Sequence, residues 1–254
     1  MASTTAWRTL TTVADRATPI LDALSTVAQL RKARAVNPDL NRRVLSLKDY
    51  QARRFSNSYP DLLQAPRYQP ATEFFLRELY GPQDFSDRDA QFVKVVPALV
   101  RLFPDEVVRT AEHLAKLHAL TEQLDSAMAS QLSSGTAITR MDYIDAWIAC
   151  GQPDVRQQQL ALTIDIGRSL EKLTRRRTLR HALHLMRHPA KAAGFSALQR
   201  FLENGFEAFA QMKGAQTFLT TVEQRELRLA NALWHADSTD TQHLPADSPL
   251  WQLP

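Results

Sequence analysis

FPDEVVRTAEHLAKLHALTEQLDSAMASQL, residues Phe103 to Leu132, reads as one long helix. Apolar residues recur at helical spacing at Val107, Ala111, Leu114, Leu117, Met128 and Leu132. Pro104 suits the first turn, and Asp105 and Glu106 suit the positive end of the helix dipole. Lys116, Gln123, Glu112 and Arg109 fall on the wet side. His118, Glu122 and Asp125 fall inside the apolar arc, at i, i+4 and i+7, so all three share one face. A buried carboxylate without a partner is costly, so these groups need counter-charges, a metal or water. Two readings follow. One is a polar seam in which His118 bonds Glu122 and arginines such as Arg77 or Arg88 close the network. The other is a ligand set of His118, Glu122 and Asp125, joined by Glu226 from the last helix, for one divalent metal or a small cofactor.

Outward from this helix the chain is helical in character. It has 254 residues, only seven glycines, and no run of alternating Val, Ile and Thr between turn signals. The spacing predicts an all-α multi-helix bundle of about eight to ten helices packed around the central helix, residues 104–132. Residues 1–17 read as a weakly structured arm, 18–235 as a single helical domain and 236–254 as a disordered tail rich in Asp, Ser, Thr and Pro. Leu250 and Trp251 are the tail residues suited to docking on a groove, but a solvated tail is the favoured reading. The single cysteine, Cys150, excludes an internal disulfide and suits a reducing compartment. No run approaches a membrane span and no secretory signal is legible, so a cytoplasmic protein is expected.

Punctuation residues set the expected boundaries. Thr18-Pro19 reads as a cap and first turn, and Asn37-Pro38 as the end of that helix. Ser46 to Asp49 reads as a capping box opening the next helix. Tyr68 to Tyr80 forms another, stopped by Gly81-Pro82. Ser86 opens the helix carrying Phe92, Val93, Val96 and Val100, with a kink expected at Pro97. Ser133 to Gly135 is a turn, Thr139 caps the next helix, and Gly151 to Asp154 is a stop-start signal. The helical phase slips near Thr174, and Pro189 closes the segment after it. Gly205 is expected to let another helix approach closely.

The string FFLRELYGPQDFSDRDAQFVKVVPALVRLFP, Phe74 to Pro104, resembles a family of uncharacterised bacterial proteins, mostly proteobacterial, and the likeness continues through LAKLHALTEQLDSAMA. It implies a bacterial, predominantly helical protein and no activity.

Several function classes are excluded by missing motifs. No Glu-x-x-His is present, which argues against a standard di-iron bundle. Gly-x-Ser-x-Gly, phosphate-loop and dinucleotide glycine patterns are also absent. RRRTLRHALHLMRH, Arg175 to His188, places Arg177, Arg180, His184 and Arg187 on one stripe, with Leu179, Leu183 and Met186 opposite. Such a stripe suits an acidic protein or an anionic surface. The net charge of +4 is too small to imply nucleic acid by itself, and no sequence-reading motif accompanies it. The expected role is a non-enzymatic binding or regulatory protein that meets an acidic partner through this helix. The alternative is a metal- or cofactor-binding enzyme or sensor. A homodimer is left open.

Overall fold

A computed structural model describes residues 13–79, 81, 83–133, 137–236 and 244–254. The expectations for the N-terminal arm before residue 13, Tyr80, Pro82, the Ser134-Gly135 turn and the start of the tail lie outside them. Among the described residues there are eleven α-helices and no strand. The all-α expectation therefore holds, with one helix more than the expected range because Pro60 opens a separate short one.

The helices run α1 Val13–Ala35, α2 Pro38–Ser58, α3 Pro60–Gln64 and α4 Gln69–Phe74, which passes into a π-helical turn, Phe75–Leu79. They continue with α5 Ser86–Leu102, α6 Asp105–Gln131, α7 Arg140–Cys150, α8 Pro153–Thr174, α9 Arg177–Ala192, α10 Ser196–Gln211 and α11 Gln216–Trp234. A 3-10 turn, Pro249–Gln252, follows.

Several boundaries differ from the sequence reading. α1 is already helical at Val13, so Pro19 lies inside it. α2 begins at Pro38, where the Asn37 side chain accepts from the Leu40 N–H, so Asn37-Pro38 both ends one helix and opens the next. Ser46 to Asp49 is consequently interior to α2. Pro189 also lies inside its helix, which continues to Ala192. Elsewhere the signals match. Thr139 and Asp142 form a reciprocal capping box, Gly151 terminates α7 at φ 64°, and the phase slip at Thr174 is the α8–α9 break.

α6 is the centre because it touches three apolar clusters at once. Val108, Ala115 and Ala119 join Ile20, Leu24 and Val27 of α1 and Val96 and Val100 of α5. Leu114 packs against an aromatic cluster that includes Phe55, Phe75, Phe209 and Phe218. Met128, Ala129 and Leu132 meet Tyr50, Tyr143, Leu229 and Leu233. A helix buried on several sides has no simple stripe, which is why Val108 is buried where Val107 was expected to be. Small residues at close approaches fit this packing. At Gly205 of α10, a Cβ would stand 2.8 Å from the Phe74 ring.

The tail expected to be disordered, 236–254, is ordered and docked over its described part, residues 244–254. Leu250 and Leu253 are buried in the cluster around Tyr50 and Tyr143. Ser58 donates to Gln252 Oε1 at 2.7 Å, and the Arg140 guanidinium lies over the Trp251 ring. Two leucines and a tryptophan within four residues supply the apolar area for this docking. No helix among the described residues is long and apolar enough to cross a membrane.

Candidate functional site

The inward polar face of α6 is real: Glu122 and Asp125 are both buried. The sequence spacing puts them there, and cations from α1 and α2 meet them. Arg34 Nη2 donates to Glu122 Oε2 at 2.6 Å, and Lys48 Nζ donates to Glu122 Oε1 at 2.5 Å. Burial raises the Glu122 pKa, but the charges and hydrogen bonds of Lys48 and Arg34 outweigh it and hold the carboxyl at about 2. Asp125 fares differently. Its nearest cation is Lys48, 3.9 Å from Oδ2, and that oxygen has no hydrogen-bond partner. Burial is the leading cause that pushes its pKa up, and the Glu122 charge adds to it.

His118 is turned away from these carboxylates. Its Nε2 lies 2.7 Å from Asp89 Oδ2 of α5. An ionised carboxylate only accepts, so Nε2 carries the hydrogen. Arg31 Nη1 reaches the same oxygen at 2.8 Å, and Arg88 Nε is 3.4 Å from Oδ1. Desolvation raises the Asp89 pKa, yet His118, Arg88 and Arg31 together hold it below the usual carboxylate range. Arg88 is itself clamped between the rings of Phe85 and Phe201, 4.0 and 4.6 Å from their centroids.

Beside this pair is a cavity of about 60 Å³, lined by Arg88, Asp89, His118, Thr121 and Gln159 among others, with Phe201 on the apolar side. At roughly 10–15 Å³ per water it holds a few waters or a molecule of a few heavy atoms.

Glu226 belongs elsewhere. Its Oε1 accepts from Arg54 Nη1 at 2.5 Å and from the Tyr59 hydroxyl at 2.7 Å. The four residues of the expected metal set are thus not brought together: His118 pairs with Asp89, Glu122 and Asp125 share Lys48, and Glu226 pairs with Arg54. Among the described residues, no group of three or more His, Cys, Asp or Glu is placed to hold a metal. Nor are the expected arginines the partners of the seam. Arg77 is exposed and faces Glu73 at 3.5 Å, and Arg88 serves Asp89.

The basic stripe of α9 is largely neutralised by α10. Arg180 makes a two-pronged contact with Glu207, at 2.7 and 2.8 Å. Arg187 does the same with Glu203, at 3.0–3.1 Å. His184 Nδ1 lies 3.5 Å from Arg187, and Arg177 is exposed without an ion pair among the described residues.

Sequence reasoning missed the seam's cations, although a signal was present. The α1 stripe Ile20, Leu24, Val27 continues at the same spacing into Arg31 and Arg34. Arginines that prolong an apolar stripe point to a buried anion on the helix opposite.

The model of a domain of unknown function (DUF8198) matches residues 29–240. No curated protein and no solved structure matches the chain.

Proposed function

The chain therefore belongs to that family, and from its geometry we propose a non-enzymatic binding and regulatory protein whose α5–α6 cavity seats a small polar molecule. What supports this reading is a single arrangement: the Asp89–His118 pair, set between Arg31 and Arg88, forms the wall of a cavity that also presents Thr121 and Gln159. Donors and acceptors of both charge signs line one side of a space that is otherwise apolar and too small for a large substrate. The Glu122–Arg34–Lys48 seam beside it ties α1, α2 and α6 together, so occupancy of the cavity bears on the packing of three helices.

A divalent metal at His118, Glu122, Asp125 or Glu226 would have to displace Lys48, Arg34 and Arg54 from their carboxylates. An acidic partner on α9 would have to displace Glu207 and Glu203 from Arg180 and Arg187.

The test is a thermal-shift screen with small polar metabolites, run on the unaltered protein and on Thr121→Leu, which fills the cavity. A ligand present at a hundred times its dissociation constant adds roughly 2.7 kcal/mol of stability. Stabilisation of the unaltered protein that Thr121→Leu abolishes is the expected result. If no solute stabilises it, or the variant responds equally, the cavity is structural only.

A further inference from the structure

α7, α8 and α11 leave a second cleft, of about 300 Å³, between them. That size is the lower end of the range for small-molecule sites. Tyr143 and Trp147 of α7, Arg156 of α8 and Trp234 of α11 line it. The two indoles lie 5.5 Å apart between centroids with their planes inclined at 53°, so the apolar wall is aromatic and angled, and each ring offers a flat face.

Arg156 is the anomaly. It is only 9% exposed, and its guanidinium lies 3.5 Å from the centroid of the Trp147 ring. Among the described residues no carboxylate makes an ion pair with it. Its hydrogen-bond partner is the thioether of Met128, at 3.7 Å from Nη2, and a thioether is a weak acceptor. Its Nε has no hydrogen-bond partner. Other buried cations in the molecule are matched: Arg34 and Lys48 with Glu122, Arg54 with Glu226. An arginine cannot relieve its burial by losing a proton, so an unmatched one is costly. Asp125 is near enough to feel its charge, but burial pushes that carboxyl toward the neutral acid.

The indole N–H of Trp147 is the second anomaly. It too is buried and lacks an acceptor. Arg156 and Trp147 therefore bring a cation and two unused donors to the aromatic wall, while Glu226, the carboxylate that also lines the cleft, is taken by Arg54 and Tyr59.

We infer that this cleft binds an organic carboxylate with a flat apolar body. The carboxylate meets Arg156 and the Trp147 N–H, and the body lies against the Trp147–Trp234 pair. Planar recognition of a carboxylate is what a guanidinium does well. The site is separate from the Asp89–His118 cavity, although Gln159 and Thr163 of α8 line both.

Calorimetric titration of the full chain with naphthalene-2-carboxylate, with naphthalene-2-carboxamide and with inorganic phosphate tests the inference. The carboxylate should bind saturably, and the amide about tenfold more weakly or worse, the loss expected when one charge-assisted hydrogen bond is removed. Arg156→Gln should weaken the carboxylate by a similar factor. Equal binding of carboxylate and amide, no binding of either, or binding of phosphate alone would overturn the inference. So would undiminished binding to Arg156→Gln. Should that variant fail to fold, the carboxylate–amide pair on the unaltered protein decides the matter.

Discussion

Arg34 of α1 and Glu122 of α6 meet at 2.6 Å although 88 residues separate them in the chain. Both side chains are nearly inaccessible, at 7% and 2% exposure, so the pair fixes how one helix sits against the other. A buried pair of this kind is a poor source of net stability, but removing one member leaves the other charge stranded, at a cost of about 3–5 kcal/mol.

Glu122→Gln strands two cations, Arg34 and Lys48. The melting temperature should fall by at least about 6 °C, from roughly 2–4 °C per kcal/mol for a chain of this size. Far-ultraviolet circular dichroism should stay helical. An unchanged melting temperature would remove the seam's role in setting helix register.

Acid should undo the same contact. The Glu122 carboxyl titrates at about 2 in the folded protein against 4.5 for the ordinary group. Its stabilisation is therefore fully present above about pH 4.5 and is lost as the pH falls towards 2. Denaturation free energies measured across that window should slope downward with acid, and Glu122→Gln should flatten the slope. Equal slopes in both proteins would mean other carboxylates carry the acid sensitivity.

Asp125 should respond with the opposite sign. Its folded pKa is raised above the ordinary 3.8, so what it contributes is present at low pH and lost as pH rises through the folded value. Asp125→Asn keeps the shape and removes the charge. Urea denaturation at pH 7 should find this variant as stable as the unaltered protein or more so. A loss of more than about 2 kcal/mol, the size of a broken buried hydrogen bond, would show that the ionised form is needed.

How much of this was readable beforehand differs by residue. The inward face of His118, Glu122 and Asp125 followed from helical period alone, as did the break at Thr174. Periodicity says which way a side chain points along its own helix. It does not say which helix lies opposite, and Glu122 finds Arg34 and Lys48 while His118 finds Asp89. Partner choice is a tertiary fact, and so is the capture of the α9 arginines by Glu203 and Glu207. Asn37-Pro38 was read correctly as a stop but not as the start of α2, since the same two residues serve equally as both. Arg156 gave no sign at all, because an arginine on an amphipathic helix looks alike whether or not it has a partner.

Close packing supplies a further expectation. A methyl group at Gly205 would stand 2.8 Å from the Phe74 ring. Overpacking of this kind costs about 1–3 kcal/mol. Gly205→Ala should lower the denaturation midpoint, and pairing it with Phe74→Leu should restore part of the loss. An unaffected midpoint would mean the ring moves aside freely.

Leu250→Ala tests the docked tail. The side chain is 3% exposed and packs in the cluster of Tyr50, Tyr143 and Leu229. Truncating a buried leucine costs about 2–5 kcal/mol, so the melting temperature should drop measurably. An unaltered value would make the docking incidental.

The Arg54–Glu226 pair joins residues 172 positions apart, and Tyr59 reaches the same carboxylate across 167. Helical proteins usually fold fast because most of their contacts are local. In this chain α2 and α11 can meet only once the long loop between them has closed. Docking of α2 on α11, rather than helix formation, is therefore the step expected to set the folding rate.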